Sequence, residues 1–411
     1  MHLAEVPLLF ALIGLAFYTV LGGADFGAAI WQLAAGRGPR GEEIRDHAHH
    51  AMGPVWEANH VWLVFVLTVV WTSYPVVFGS VASTLSIPLF VAGLGIVLRG
   101  TAYALRSGAS SSRELGRIDA VFSVSSILTP LALGAAVGGI ASRRVPVGNA
   151  VGDLDTSWFN PTSAAIGILA VAFTAYVSAV FLSADAVRRG RPELESAFRR
   201  RALVAGVLAG AIAVAAILVV RSDAKPLYHG LVHGRGLAAL VVSIVAGVAT
   251  LAFVRARRYE PARYSAALAV AAVIAGWALA QSPVLLPGLT VGQAAAPRET
   301  LICVVVAVLA GGVILFPALA LLFRLYLGGR FDPEAPPPAA ERPHPRALVR
   351  ASRSGFSARL AAALLLAGFG LLNVAESAWA HAVGAACLLG FVAVAFSAAL
   401  PPREVSPPPP G

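Results

Sequence analysis

The stretch Gly53-Pro54-Val55-Trp56-Glu57-Ala58-Asn59-His60-Val61-Trp62-Leu63-Val64 places an acid, an amide and an imidazole between two tryptophans. A long apolar run follows it directly. A soluble helix could carry this mixture at no cost. At the start of a membrane span, ionisable groups cost free energy and usually serve a function. The composition of the whole chain decides which setting applies.

The 411-residue chain is 58% hydrophobic and only 13% charged, and its mean hydropathy is +0.77. Soluble domains contain about 25% charged residues. Long apolar runs recur without period-2 alternation, which predicts an all-α integral membrane protein and argues against a β-barrel. The net charge of +10 fits arginine-rich cytoplasmic loops better than nucleic-acid binding. Residues 1–6 lack a basic segment, so the first apolar run is read as a helix rather than a cleaved signal.

Nine apolar runs are predicted to span the membrane, followed by a weaker hairpin. The predicted spans lie at about 6–33, 54–78, 83–105, 118–141, 161–186, 202–220, 235–254, 264–283 and 300–326. We expect a membrane domain over 1–327, a Pro-rich cytoplasmic linker over 328–356, a hydrophobic hairpin over 357–400 and a disordered tail over 401–411.

Positive charges predict the orientation of these spans. With the N-terminus outside, the connections on the cytoplasmic side hold 23 arginine and lysine residues and the outer connections hold six. Cytoplasmic connections of membrane proteins are enriched in these residues, so the count predicts an outer N-terminus and supports nine spans before the linker.

This orientation brings several polar residues to the cytoplasmic third of the membrane. They are Asp25 in span 1, Glu57 and His60 in span 2, Arg99 in span 3 and Asp119 in span 4. An unpaired charge at this depth is costly, so such groups pair or face a wet cavity. Arg99 could neutralise either Asp25 or Glu57, which would leave the other carboxyl free to bind and release a proton.

Each of these residues also has a purely structural interpretation. Asp25 could bond the backbone of a helix loosened by neighbouring glycines, and Glu57 and Asp119 could complement helix dipoles as first-turn acids. The long side chain of Arg99 could reach the cytoplasmic surface. Trp56 and Trp62 fit an interfacial aromatic belt, although the depth of Trp62 also allows it to line a cavity.

The histidines and cysteines do not predict a metal or haem site. His60 is read as a hydrogen-bonded packing residue, and His47, His49 and His50 as part of a solvated basic loop. His229 and His233 stand four residues apart in an outer loop, which is weak evidence for a site. Cys303 and Cys387 lie inside apolar runs without ligand spacing.

Several motifs together resemble subunit II of the cytochrome bd-type quinol oxidases. They are Gly23-Ala24-Asp25-Phe26-Gly27, the Pro54–Trp62 stretch, Tyr74-Pro75-Val76-Val77, Leu98-Arg99-Gly100, and the segments Gly276–Pro283 and Ala294–Leu301. Their order and spacing carry the resemblance, which covers residues 1–327.

The resemblance implies two four-helix bundles plus a peripheral helix, paired with a similarly folded subunit I in the bacterial cytoplasmic membrane. It also implies that haems b and d and the quinol-oxidising loop belong to subunit I, so this chain alone is not catalytic and binds no cofactor. The whole complex would oxidise membrane quinol and reduce dioxygen to water with protons from the cytoplasm. A small accessory membrane subunit is compatible with this assembly.

The resemblance also assigns expected roles to single residues. Glu57 matches a position, usually aspartate, in a proton path, and Asp25 and Arg99 match polar positions beside it. Trp62 matches a residue beside a hydrophobic oxygen route. Two departures stand out: Gly22-Gly23-Ala24-Asp25 replaces the usual Asp-Gly-Phe-Asp, and His60 replaces the usual Gln or Glu.

Two other classes of function are compatible with the residues. A proton-coupled secondary transporter could use Asp25, Glu57 and Arg99, but it would be expected to place them near the bilayer midplane. A structural membrane scaffold would tolerate neutral substitution of all three. The sequence thus favours a non-haem oxidase subunit. Its proton path is predicted to run through Glu57, Asp25, Arg99, Asp119 and His60. Trp62 and Trp56 are predicted to lie along an oxygen route.

Overall fold

The computed structural model describes residues 2–36, 38–51, 53–106, 111–327 and 377–399, with short pieces at 360–361, 363–364, 367–368 and 371. The predicted linker, the predicted tail and most of the first helix of the predicted hairpin lie outside these residues. The chain forms two compact units, Met1–Leu319 and Ala320–Gly411.

The first unit begins with a short 3₁₀ turn, Leu3–Glu5, and continues as a series of helices. The first six are α1 (Val6–Leu33), α2 (Pro39–Ala51), α3 (Gly53–Ser73), α4 (Pro75–Thr84), α5 (Ser86–Arg106) and α6 (Ser112–Ala141). The next five are α7 (Pro161–Arg188), α8 (Pro192–Asp223), α9 (Lys225–Val232), α10 (Leu237–Arg255) and α11 (Tyr259–Gln281).

An ordered connection then leads to the last helix of this region. It contains an antiparallel hairpin of β1 (Val284–Leu286) and β2 (Leu289–Thr290), followed by α12 (Val291–Ala294) and α13 (Arg298–Leu327). Thr290 and Gln293 form a capping box at α12. The second unit contains α14, Ala378–Ala399, which corresponds to the second helix of the predicted hairpin.

Within the described residues, eight helices are long and apolar enough to cross a membrane, or nine if α3 and α4 form one bent span. Each matches a predicted run, which supports the all-α membrane class. The largest difference in bounds is at α8, where the apolar run predicted at 202–220 lies inside a 32-residue helix. Pro192 and the first-turn acids Glu193 and Glu195 favour this earlier start.

The predicted second span, 54–78, requires correction. Helix α3 ends at Ser73, and α4 leaves it at an angle of 120°. Pro75 provides no backbone N–H and disfavours helical geometry at Tyr74, which adopts φ −138° and ψ 62°. The Tyr74 hydroxyl donates a 2.5 Å hydrogen bond to the carbonyl of Ala4, which links the bend to the N-terminal turn.

Helices α1 and α7 pack at very short distance. Gly27 of α1 lies against the backbone of Thr174 and the side chain of Ser178, and a Cβ atom at position 27 would overlap both. Small residues at such a crossing allow two membrane helices to approach closely. This contact fixes the height of Asp25, two residues earlier in α1.

Candidate functional site

Asp25 and Arg99 form a buried ion pair between α1 and α5. Their exposed fractions are 1% and 2%, respectively. Arg99 donates from Nη2 to Oδ1 of Asp25 at 2.5 Å and to the Asp25 carbonyl at 3.3 Å. Of the two acids considered from the sequence, Asp25 therefore contacts Arg99. The alternative in which Arg99 extends to the membrane surface does not fit this burial.

Two aromatic rings enclose the Arg99 guanidinium. Its Cζ atom lies 4.7 Å from the ring centroids of both Phe26 and Phe122. A cation stacked on an aromatic face gains about 0.5–2 kcal/mol, more when it is desolvated. The rings therefore hold the planar group in place while Asp25 supplies the counter-charge.

A small cavity opens beside this pair, beneath α2. Its lining includes Asp25, Gln32, His49, Arg99, Tyr103 and Phe122. His49 and Tyr103 face each other with ring centroids 5.2 Å apart. Polar groups of Asp25, Gln32, His49 and Arg99 contribute to a lining that is otherwise apolar, so the cavity can hold water.

The ion pair retains unused hydrogen-bonding capacity. Oδ2 of Asp25 and both Nε and Nη1 of Arg99 are buried, and none of them has a hydrogen-bond partner among the described protein atoms. Buried polar atoms in folded proteins are nearly always bonded to protein or to ordered water. Chemically, the site can therefore hold water next to a carboxylate and a permanent cation.

Glu57 and Trp56 belong to α3, but their side chains lie outside the described part of the structure. Their expected roles stay predictions. His60 is partly buried on the same helix. Trp62 is 7% exposed, stacks on Phe17 at 4.5 Å, and packs with Tyr18 and Phe26. It is thus an interior residue and not part of an interfacial belt.

Asp119 lies in a separate ion pair. It accepts a 2.5 Å hydrogen bond from Arg106, and both side chains are partly exposed. Because α6 begins at Ser112, Asp119 is about two turns from the helix start, and its interpretation as a first-turn acid is wrong. It does not line the cavity beside Asp25.

The reading of His47 as part of a solvated loop is also wrong. The segment forms α2, and His47 is buried against α7. Its Nε2 lies 3.2 Å from the carbonyl of Leu182 and 3.7 Å from Oδ2 of Asp185. Burial lowers the pKa of His47, an effect that exceeds the opposing influence of that carbonyl and of Asp185.

Asp185 is a second buried acid that the sequence reasoning missed. It accepts hydrogen bonds from Arg188 and from Arg189, the latter at 2.8 Å. The sequence feature that could have identified Asp185 is the Ser183-Ala184-Asp185 run near the end of a span. This run parallels Gly23-Ala24-Asp25 in α1. The contacts of His47 with Leu182 and Asp185 dock α2 on α7, and His49 of the same helix lines the cavity.

The structure adds Tyr18, Gln32 and Asn59 to the surroundings of Asp25. Tyr18 lies seven residues before Asp25, a spacing that places both on one face of α1. Across the described residues, no group of three or more His, Cys, Asp or Glu side chains is arranged to hold a metal ion.

Fold and site together define an all-α, multi-pass membrane protein with a buried acid–cation pair. The sequence model of the cytochrome bd terminal oxidase subunit II family matches residues 3–326. The chain belongs to this family, which confirms the resemblance seen in the sequence.

Two relatives illustrate the match. A protein of Bacillus subtilis (strain 168) that is named as subunit II of a cytochrome bd menaquinol oxidase is 22% identical over 242 residues. The aligned region covers 56% of this chain and 67% of that protein. A chain in the structure of bd oxidase from Geobacillus thermodenitrificans shares 23% identity, with a TM-score of 0.60. That match covers 80% of this chain and 99% of the other, and it supports the fold.

Proposed function

We propose that this chain is the non-haem subunit of a bd-type quinol:dioxygen oxidoreductase and that its Asp25–Arg99 site gives protons access from the cytoplasm. It would bind a haem-bearing subunit I that holds haems b and d and oxidises quinol. The observation that carries the proposal is a buried, incompletely bonded carboxylate beside a polar cavity, in a chain of this family.

The site chemistry suits proton access. The guanidinium of Arg99 supplies a fixed positive charge beside the carboxylate of Asp25. Asp25 can take a proton at its unbonded Oδ2 from water in the cavity and release it again. Gln32 and His49 would hold that water at the side nearest α2. Glu57 and His60 would extend the route along α3. Asp119, which does not line the cavity, would lie at the rim of the route.

Trp62 is proposed to border an oxygen route, with Trp56 at its end. Support comes from its surroundings, since Tyr18, Phe26, Leu315 and Leu319 pack around it. Dioxygen is apolar and dissolves readily in such a region, whereas ions do not.

The proposed arrangement has nine spans, with α3 and α4 counted as one, and forms two four-helix bundles and a peripheral helix. We place the N-terminus outside the bacterial cytoplasmic membrane, following the arginine distribution. The family match over 3–326 supports a membrane domain ending at about 327, followed by a linker, a hairpin and a tail.

The proposal is tested by affinity purification of the tagged chain from its native membrane. We expect a haem-bearing subunit to co-purify, visible as haem absorption, and the complex to consume oxygen with a quinol. A colourless, stable chain without that partner would contradict the oxidase assignment.

A second measurement tests the proton route. Asp25→Asn and Glu57→Gln should each slow oxygen consumption while leaving the haem spectrum intact. Glu260→Gln, an exposed acid on α11, is the matched control and should retain the wild-type rate. Wild-type turnover in Asp25→Asn would remove Asp25 from the route.

A further inference from the structure

The cavity beside Asp25 has a mouth formed by two side chains. Six of the eight residues that line it are buried, whereas His49 of α2 and Tyr103 of α5 are partly exposed. The rings of these two residues face each other with centroids 5.2 Å apart. They are therefore the lining residues that solvent reaches most, and exchange between the cavity and the solvent passes beside them.

Helix α2 covers the cavity and carries His49. Ala48 also lines the cavity and is fully buried. The preceding residue, His47, contacts the carbonyl of Leu182 and the carboxylate of Asp185 on α7. His49 thus belongs to a docked helix, and its backbone is held at the mouth by contacts on either side of the cavity.

Inside the cavity, the carboxylate of Asp25 provides a proton acceptor. Its Oδ1 accepts a hydrogen bond from Arg99, whereas Oδ2 is buried and has no hydrogen-bond partner among the described residues. The cavity has room for about one water molecule. A single cavity therefore brings together an imidazole, space for water and a carboxylate.

The two side chains at the mouth differ in their chemistry. A histidine ordinarily changes its charge between about pH 5 and 8, whereas a tyrosine keeps its proton up to about pH 10. Of the two, His49 is thus the residue that can bind a proton and release it again near neutral pH. Tyr103 packs against the imidazole ring and supports its position.

The charges around the mouth are arranged largely in opposite pairs. Asp25 pairs with Arg99 inside the cavity, and Asp119 pairs with Arg106 on the neighbouring part of α5 and α6. The described titratable and charged groups on α2 and around it are Glu42, Glu43, Arg45, Asp46 and His47 of α2, Asp25 of α1, His60 of α3, Arg99, Tyr103 and Arg106 of α5, Asp119 of α6, and Asp185, Arg188 and Arg189 of α7.

We infer that His49 is the proton-collecting group of this site: it binds a proton from the cytoplasm and passes it through one cavity water to Asp25. The inference rests on the proposed function and goes beyond it, because His49 changes its own protonation instead of only holding water. It is a proton-transfer residue and does not touch dioxygen or quinol.

The transfer is balanced within the cavity. The protonated imidazole of His49 gives one ring proton to the water, and the water passes one of its own protons to Oδ2 of Asp25. The products are a neutral imidazole, an unchanged water molecule and a neutral carboxyl group. His49 then takes its next proton from cytoplasmic water at the mouth, while Asp25 holds the proton for the onward route.

The experiment uses the intact complex and compares His49→Gln with His49→Ala. Glutamine retains hydrogen-bonding groups but does not titrate, and alanine leaves space that free imidazole can enter. Glu42→Gln is the matched control, because it removes an exposed titratable group from the first turn of the same helix. Oxygen consumption is measured at pH 6 and pH 8, with and without added imidazole, together with haem content.

We expect both His49 variants to slow turnover by about 10–100-fold at normal haem content, since a positioned proton-transfer group contributes at least that much. The deficit of His49→Gln should be larger at pH 8 than at pH 6, because hydronium that reaches Asp25 directly is scarcer at the higher pH. Imidazole should restore part of the rate of His49→Ala. It should change the rates of the wild type and of Glu42→Gln equally, and Glu42→Gln should turn over at the wild-type rate.

The outcomes separate this inference from the proposed function. Slow turnover in Asp25→Asn combined with wild-type turnover in both His49 variants would overturn the role of His49 alone. Wild-type turnover in Asp25→Asn would overturn the route itself. A loss in the His49 variants that neither responds to imidazole nor grows with pH would indicate packing and also overturn the inference. If His49→Ala fails to assemble, the pH dependence of His49→Gln decides.

Discussion

Arg99 is a cation inside a membrane helix, and among the described residues the carboxylate of Asp25 is its counter-charge. Removing one member of a buried ion pair leaves the other charge uncompensated and costs about 3–5 kcal/mol, whereas replacing both members by apolar groups is often neutral. The energetics of this residue therefore differ from those of exposed pairs such as Arg263 with Glu260, where an ion pair contributes about 0–1 kcal/mol.

This difference gives a stability prediction. Arg99→Leu should lower the thermal unfolding temperature of the purified complex clearly, by an amount corresponding to about 3–5 kcal/mol. The double variant with Asp25→Leu should recover most of that loss, although its turnover should stay low. Glu260→Gln should be close to the wild type. A double variant as unstable as Arg99→Leu alone would show that the pair is not the source of the effect.

At the residue scale, the sequence identified Asp25 and Arg99 because charges are rare in apolar runs and therefore conspicuous. It missed Asn59 and Tyr18, since amides and hydroxyls are common in membrane helices. Only the packed structure shows that these groups have no hydrogen-bond partner among the described residues. It also could not decide between Asp25 and Glu57 as the partner of Arg99. That choice depends on how α1 and α5 meet across 74 residues of sequence.

At the element scale, helix α2 is a polar segment that nevertheless buries one face, formed by Ile44, His47 and Ala48. Its composition predicts a solvated loop, yet His47 docks onto α7, 135 residues away from its partner carbonyl at Leu182. Such a contact leaves no local pattern in the sequence. The contact of Asp185 with His47 is equally distant in sequence, whereas its pairing with Arg189 follows from their spacing of four residues.

The docking of α2 should depend on pH. Because burial lowers the folded-state pKa of His47, the undocked form takes up a proton first as the pH falls below about 6.5, the ordinary value for histidine. The stability that docking provides is therefore fully present above that pH and decreases below it. The charged groups near the ring are Asp185, Arg189 and Arg191, and the two arginines also oppose protonation.

Hydrogen exchange of α2 backbone amides at pH 7.5 and 5.5 measures this effect. We expect faster exchange at the lower pH, after correction for the intrinsic rate. His47→Gln removes the titrating group and should reduce the difference, whereas a substitution at the exposed His233, His233→Gln, should leave it unchanged. The same pH dependence in His47→Gln would assign the effect to another group.

The bend between α3 and α4 was also missed, although its cause is local. The apolar run continues past Pro75, so hydropathy alone extends the span, while the proline ends the helix. The remaining helix bounds followed hydropathy well, because each span has to satisfy its own backbone and bury its own apolar surface. The class of fold was thus predictable, but the way in which α1 and α7 approach at Gly27 was not.

At the scale of the whole molecule, the chain continues beyond the region that the family model matches. The match stops at residue 326, whereas the chain continues to 411. The described residues of the site all precede that point, as do the contacts that hold α2 over the cavity. The extension is therefore expected to contribute little to oxidase chemistry.

Deletion of residues 328–411 tests this expectation. The truncated chain should still co-purify with the haem-bearing subunit and should consume oxygen within about twofold of the wild type, because no group of the site is removed. Haem content per complex is measured as the control for assembly. Loss of the partner subunit would show that the extension belongs to the interface.

The Asp25–Arg99 pair also has a consequence for biosynthesis. The two residues are 74 positions apart, and a ribosome adds about 5–20 residues per second, so Asp25 leaves the ribosome about 4–15 s before its cation is made. During that interval α1 carries an acid without its counter-charge, a state that favours the protonated carboxyl or a shallow position in the bilayer. We therefore expect helix α1 to reach its final depth after α5 has been inserted, so that the arrival of Arg99 acts as a checkpoint in assembly.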